Sequence, residues 1–319
     1  MLAGLVPALG CGGHPAPLPR TPGVSTQRPG GPAPLAGRVT ARIHLHHAPT
    51  GVSFGRGALW VTGDDATLER IDPATNRVAQ ISTVGRWPLQ VAFEPHALWV
   101  VNSDDNTVSH VDARTGRVVG AVRVGELPVG AATANGTLWV ASGFDPTVSR
   151  LDTRLGRVVA TIVVGDRPSN QRALALGEGA VWVTAHESVV RIDPATNRVV
   201  QRIHLRSPSG AAAGHGAVWI SNADDDTVTR IDPVSGRIVD RIAVGRNPMA
   251  IALAHGSVWV VNNADGTVTQ IDAATDDVIA TIPVAVRAFD ITAGAGAVWV
   301  QSYGDKTIYR IEPRRAEGI

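Results

Sequence analysis

The sequence predicts an all-β fold: a seven-bladed β-propeller with four strands per blade. Three observations lead there. Tryptophans stand at 60, 99, 139, 182, 219, 259 and 299, at gaps of 37 to 43 residues, and a period of that size marks a stacked or radial repeat. A second marker, an acidic residue closing an apolar strand, recurs in step at Asp72, Asp112, Asp152, Asp193, Asp232, Asp272 and Glu312. The third lies at the ends. Gly37-Arg38-Val39-Thr40-Ala41-Arg42-Ile43-His44-Leu45 matches the outermost strand of the unit with no inner strands before it, and the last unit stops at Glu312 without that strand. Pairing the two closes a ring and removes the open edge an incomplete sheet would present to other chains.

Each element of the unit has a local reason. In the second unit, Leu98-Trp99-Val100-Val101 and Thr107 to Asp112 are β-branched and apolar runs separated by the turn residues Asn102 to Asn106, as strands of a hairpin require. Arg117 to Val124 and Val129 to Thr133 supply a third and a fourth strand, the strand count of a propeller blade. The hairpin after the acidic marker needs a residue tolerant of positive φ at one fixed place. Asn76, Gly116, Gly156, Asn197, Gly236 and Asp276 hold that place, the residue types for which left-handed geometry is least costly. The acidic residue itself is expected to accept backbone N–H groups ahead of it as an Asx-turn. The tryptophans, mid-strand among Val, Ile, Leu and Ala, are expected to pack between blades.

Outside the repeats the chain divides into an apolar segment at 1–11, a tether at 12–37 and a tail at 313–319, with the propeller at 38–312. Met1 to Gly10 is apolar and ends in small residues before Cys11, the single cysteine of the chain. That segment resembles a bacterial lipoprotein signal, which implies lipidation at Cys11 and an extracytoplasmic location, lipid-anchored or secreted. The tether carries seven prolines between Pro15 and Pro34 and no apolar periodicity, so it is expected to stay extended. One cysteine leaves no intramolecular disulfide and no Cys-based zinc site. Basic and acidic residues nearly balance at 29 and 28, which speaks against nucleic acid as a partner. The reading expects a monomer that meets a membrane only through its lipid.

The run Trp99-Val100-Val101-Asn102, Asn106-Thr107-Val108-Ser109, Val111-Asp112, Thr115, Arg117-Val118-Val119, Val124-Gly125 and Pro128 resembles the YVTN β-propeller repeat family, as does Trp259-Val260-Val261-Asn262 with Gly266 to Asp272. The resemblance implies the propeller and a binding or interaction role. Repeat length and tryptophan placement are also similar, more distantly, to the virginiamycin B lyase family. Such a likeness would imply a magnesium-dependent carbon–oxygen lyase acting on a streptogramin. Repeats of that family tend to carry Glu three residues after the tryptophan. Here those places hold Gly63, Asn102, Ser142, Ala185, Asn222, Asn262 and Ser302, and the lyase's functional His and Glu have no matching positions.

The loops that lead from the outer strand of one blade to the inner strand of the next share a face with the hairpin after the tryptophan strand. They place Arg86, Trp87, Arg167, Arg246 and Arg287 on one rim, beside His47, Arg206, Met249, Phe289 and Asp290. Arginine suits carboxylate or phosphate, so an anionic small molecule or glycan is one expectation and a protein partner another. Trp87 is the one tryptophan out of register. The fourth unit has a longer leading loop, with Asn170, Gln171 and Arg172, and a shorter hairpin, with His186 and Glu187. These join the arginines and Trp87 as the candidate ligand-binding rim. Asp-rich hairpins such as Asn102 to Asn106 raise calcium, but they lack the closing Glu of a calcium loop, and turn capping accounts for them. No serine elbow, phosphate loop or HExxH is present. The expectation is a binding module with no catalytic residue, no metal and no cofactor, magnesium entering only with the lyase alternative. A surface protein with no pocket is the third class.

Overall fold

A computed structural model of the chain describes residues 36–165 and 173–313. They form 28 strands, numbered β1 to β28 in chain order, in seven antiparallel sheets of four. The second sheet sets the pattern: β6 (Pro88–Phe93), β7 (Ala97–Asn102), β8 (Thr107–Asp112) and β9 (Val118–Arg123), each paired with the next. Burial falls outward, from a β7 buried on both faces to a β9 that is almost wholly exposed. The first strand of every sheet touches the first strand of the next, from β2 (Pro49–Gly55) round to β26 (Ala288–Gly294) and back to β2. The sheets therefore stand as blades round a central channel, and the expected fold is the observed one.

Closure follows the expected pairing. Strand β1 (Gly37–His44) runs antiparallel to β28 (Thr307–Pro313), with Val39 opposite Ile311 and Ile43 opposite Ile308. The Gly37 N–H also donates to Gln270 Oε1 of the sixth blade at 2.8 Å. A Cβ on Gly37 would collide with the Trp259 ring, so the first residue of the closing strand has to be glycine.

The tryptophans pack as the repeat implies. Six are no more than 1% exposed, and Trp139 is 2% exposed. Each lies against the following blade, as Trp99 does on Leu138, Val140 and Leu151. In five blades the indole Nε1 donates to the carbonyl five residues back, as in Trp219 to Gly214 at 3.4 Å. An arginine covers the ring in four, with guanidinium-to-ring distances of 5.0 to 5.5 Å. In the second blade His110 stacks there instead, at 4.5 Å.

The predicted turn is also in place. Asp112 Oδ1 accepts the N–H groups of Arg114 and Thr115 at 3.1 and 2.7 Å. Asn76, Gly116, Gly156, Asn197, Gly236 and Asp276 all have φ between 57° and 70°, and a bulge recurs beside each turn, as between His110 and Val111.

Candidate functional site

The rim face is built by mutual capping. Asn106 at the tip of the β7–β8 hairpin has φ 57°. Its carbonyl accepts Val124 N–H at 3.0 Å and its side chain accepts Leu127 N–H at 2.8 Å. Asp226 repeats both contacts with Val244 and Asn247. The place where lyase-like repeats carry Glu is used for structure: Asn102 Oδ1 accepts Gly85 N–H at 3.1 Å while its amide donates to Thr107 and Ser109.

Most rim arginines that the structure describes are already engaged. Arg86 gives its N–H and its Nε to Asp105, both at 2.7 Å, and Arg246 gives the same pair to Asp265 at 2.7 and 2.6 Å. Arg206 meets Asp225 at 3.1 Å. Arg287 lies over the Tyr303 ring at 5.1 Å. The Asp-rich hairpins thus hold the neighbouring arginine and its backbone amide. Trp87 is 39% exposed with φ 49°, its carbonyl accepting Ser103 N–H at 3.0 Å.

In the fourth blade, His186 and Glu187 form the two-residue turn between β15 (Ala180–Ala185) and β16 (Ser188–Asp193), with Glu187 at φ 49°. They share a recess of about 560 Å³ with Arg202 and His204. That recess and the Trp87 loop belong to different blades. Arg167, Asn170, Gln171, Arg172 and Cys11 lie outside the described residues.

The first strands of all seven blades surround a second cavity of about 280 Å³, at the rim end of the channel. Two rings of side chains line it. Leu89, Val129, Met249 and Phe289, with Thr50 and Ser209, form a mainly apolar collar. At the next position most blades carry Gly or Ala, and two of the glycines have a steric reason: a Cβ on Gly51 or Gly210 would strike the carbonyl of Leu89 or Met249 in the following blade. Gln90 and Asp290 are the exceptions. Gln90 Oε1 accepts Ala131 N–H at 2.7 Å, and Asp290 accepts Val52 N–H and Ile291 N–H, both at 2.9 Å. Burial pushes the Asp290 carboxyl up to about 6 although both bonds pull the other way. Asp290 is the one ionisable group among the described lining residues. Sequence reasoning placed Asp290 only among rim residues and passed over Gln90; the small-residue column they interrupt was the available signal.

Fold and site together define a seven-bladed β-propeller whose first strands ring a cavity on the face that carries its irregular loops. No family model and no curated protein matches the chain. Many solved structures share the fold. One is the hydrazine synthase of Kuenenia stuttgartiensis, with a TM-score of 0.73 and 16% identity over 86% of this chain and 97% of that one. The likeness is one of architecture.

Proposed function

We propose that this chain is an extracytoplasmic binding module, anchored through Cys11, that takes its ligand on the rim face at the channel mouth. The observation that carries the reading is the cavity ringed by all seven first strands, an apolar collar above Asp290, the one carboxylate among its described lining residues. Sites for small ligands are concave and mostly apolar, with few polar groups to fix orientation. A carboxylate that titrates at about 6 is mostly ionised at neutral pH and can accept hydrogen bonds from an ammonium or hydroxyl group, and a bound ammonium would favour the ionised form further. The Arg86 and Arg246 guanidiniums, each held by an aspartate, offer an anion less than unpaired arginines would. The mouth therefore suits a small molecule, sugar or peptide end with an apolar body and a donor group.

The test is a thermal-shift screen of the full chain against panels of amines, sugars and carboxylic acids. Amine or hydroxyl ligands are expected to raise Tm, and Met249→Arg, which fills the mouth, to abolish the shift. Shifts that survive Met249→Arg, or that come only from carboxylic acids, would overturn the reading. Anchoring is checked separately by palmitate incorporation, which Cys11→Ser should remove.

A further inference from the structure

The junction that leads into the first blade departs from its counterparts. Where the second, fifth and sixth blades place Arg86, Arg206 and Arg246, the first places His47, two residues before its opening proline as they are before theirs. The hairpin it meets, between β3 (Ala58–Gly63) and β4 (Thr67–Asp72), has three residues, Asp64, Asp65 and Ala66, against four in the second blade. An exposed arginine with one aspartate is thereby exchanged for a buried imidazole among three carboxylates.

His47 is 7% exposed and Glu69 3% exposed. Nε2 lies 3.2 Å from Glu69 Oε1, at ion-pair range but off the line of a hydrogen bond, and neither ring nitrogen has a hydrogen-bond partner among the described residues. A buried polar atom without a partner costs free energy that a ligand would recover. The Asp64 and Asp65 carboxylates face the ring from the exposed side, and one ligand atom from each of the three residues lies within 4.8 Å of the others. Asp64 Oδ1 accepts Ala48 N–H at 3.2 Å and Asp65 Oδ1 accepts the Thr67 hydroxyl at 2.6 Å, which leaves the second oxygen of each without a donor among the described residues.

Gly63 keeps the space open. A Cβ there would collide with both His47 Nδ1 and Asp65 Oδ1, so Nδ1 and the carboxylate look into one volume. The corresponding residue is Asn, Ser or Ala in the other six blades.

We propose that His47 Nδ1, Asp64 and Asp65 bind a divalent transition cation, with Glu69 behind the histidine as the acceptor for Nε2–H. One imidazole and two carboxylates suit Zn²⁺, Co²⁺, Mn²⁺ or Fe²⁺ better than the all-oxygen sets that calcium takes. A carboxylate on the far nitrogen is the usual outer partner of a metal-bound histidine: it fixes the tautomer and turns the other lone pair to the ion. The exposed aspartates have only to close by about an ångström for three ligands to meet an ion at ~2.0–2.2 Å, and the solvent side supplies water for the remaining positions. Among the described residues the one basic side chain bonded to this loop, Lys306, reaches only the His46 carbonyl, at 3.4 Å, and so leaves the carboxylates unpaired with a lysine or arginine. The ion would tie the loop from the ring-closing strand β1 to the first blade.

The experiment is a titration of the chelator-stripped full chain with Co²⁺, followed by absorption and by calorimetry. Expected are one ion per chain, a spectrum without the charge-transfer band of a thiolate ligand, and a rise in Tm. Asp65→Asn and Gly63→Ala should each lose the ion, the second by filling the cradle while every ligand remains. Glu69→Gln should weaken it about 10–100-fold. Asp105→Asn, at the second-blade junction, should bind as the parent does. Absence of stoichiometric binding, a thiolate band, or equal binding by Asp65→Asn and Gly63→Ala would overturn the proposal; circular dichroism of the metal-free variants separates lost binding from lost folding.

Discussion

Two junctions on the rim share a backbone plan and differ in physics. At the second blade, Arg86 and Asp105 meet on the surface, with side chains 73% and 30% exposed. At the first, His47 and Glu69 meet with side chains 5% and 4% exposed. Water and salt screen the first kind of pair, and ordering two long side chains offsets most of its attraction. The second kind is desolvated, so each partner depends on the other. The same position in the repeat therefore carries an interchangeable clasp in one blade and a demanding polar cluster in another.

Predictions that test this contrast run from the core outward. Trp219→Ala, between two blades, sets the upper scale: about 3–5 kcal/mol of stability lost, read from denaturant midpoints. His47→Leu in metal-free protein strands Glu69 in the interior and should cost about 3 kcal/mol. The double variant His47→Leu with Glu69→Met should recover most of that; if it is as unstable as the single variant, the pair is not coupled as described.

At the channel, Asp290 is expected to tie stability to pH. Its carboxyl titrates near 6 in the folded chain against an ordinary 3.8, so ionising it costs more in the native state than in the unfolded one. Its stabilising contribution is present in full below pH ~4 and lost as pH rises through ~6, at most about 3 kcal/mol. Melting temperatures across that window should slope downward in the parent and less so in Asp290→Asn. The smallest effect belongs to the surface clasp. Arg86→Ala should leave Tm within error, and any residual change should vanish on adding salt.

Much of this was legible along the chain because a blade is a local object. Its strands pair with their neighbours in sequence, so the Trp and Asp markers, the positive-φ turn residues and the spare strand at Gly37 suffice to count blades and close the ring. The rim arginines show the limit. Their position on one face could be read, but not their capture by Asp105, Asp225 and Asp265, because a loop and the hairpin that caps it have no common sequence signature. Of the candidate rim, the recess round His186 and Glu187 and the exposed Trp87 could be located, in separate blades, and the channel mouth emerged only when seven first strands came together.

The left-handed turn position separates what the residues alone dictate from what packing adds. That it needs Asn, Asp or Gly follows from the backbone, since positive φ strains other side chains. Which of them occupies it depends on the preceding blade. Asn76, Asn197 and Asp276 accept Arg310, Arg150 and Arg230, the arginines that cover the tryptophans one blade earlier. Gly116 and Gly236 leave room for Gln80 and Gln201, against which a Cβ would collide. The repeat fixed the blade because strand, turn and bulge are short-range choices. Only the assembled ring decided which polar groups meet between blades, because those partners are roughly forty residues apart in the chain, or 234 where the ring closes, and are set by how one sheet faces the next.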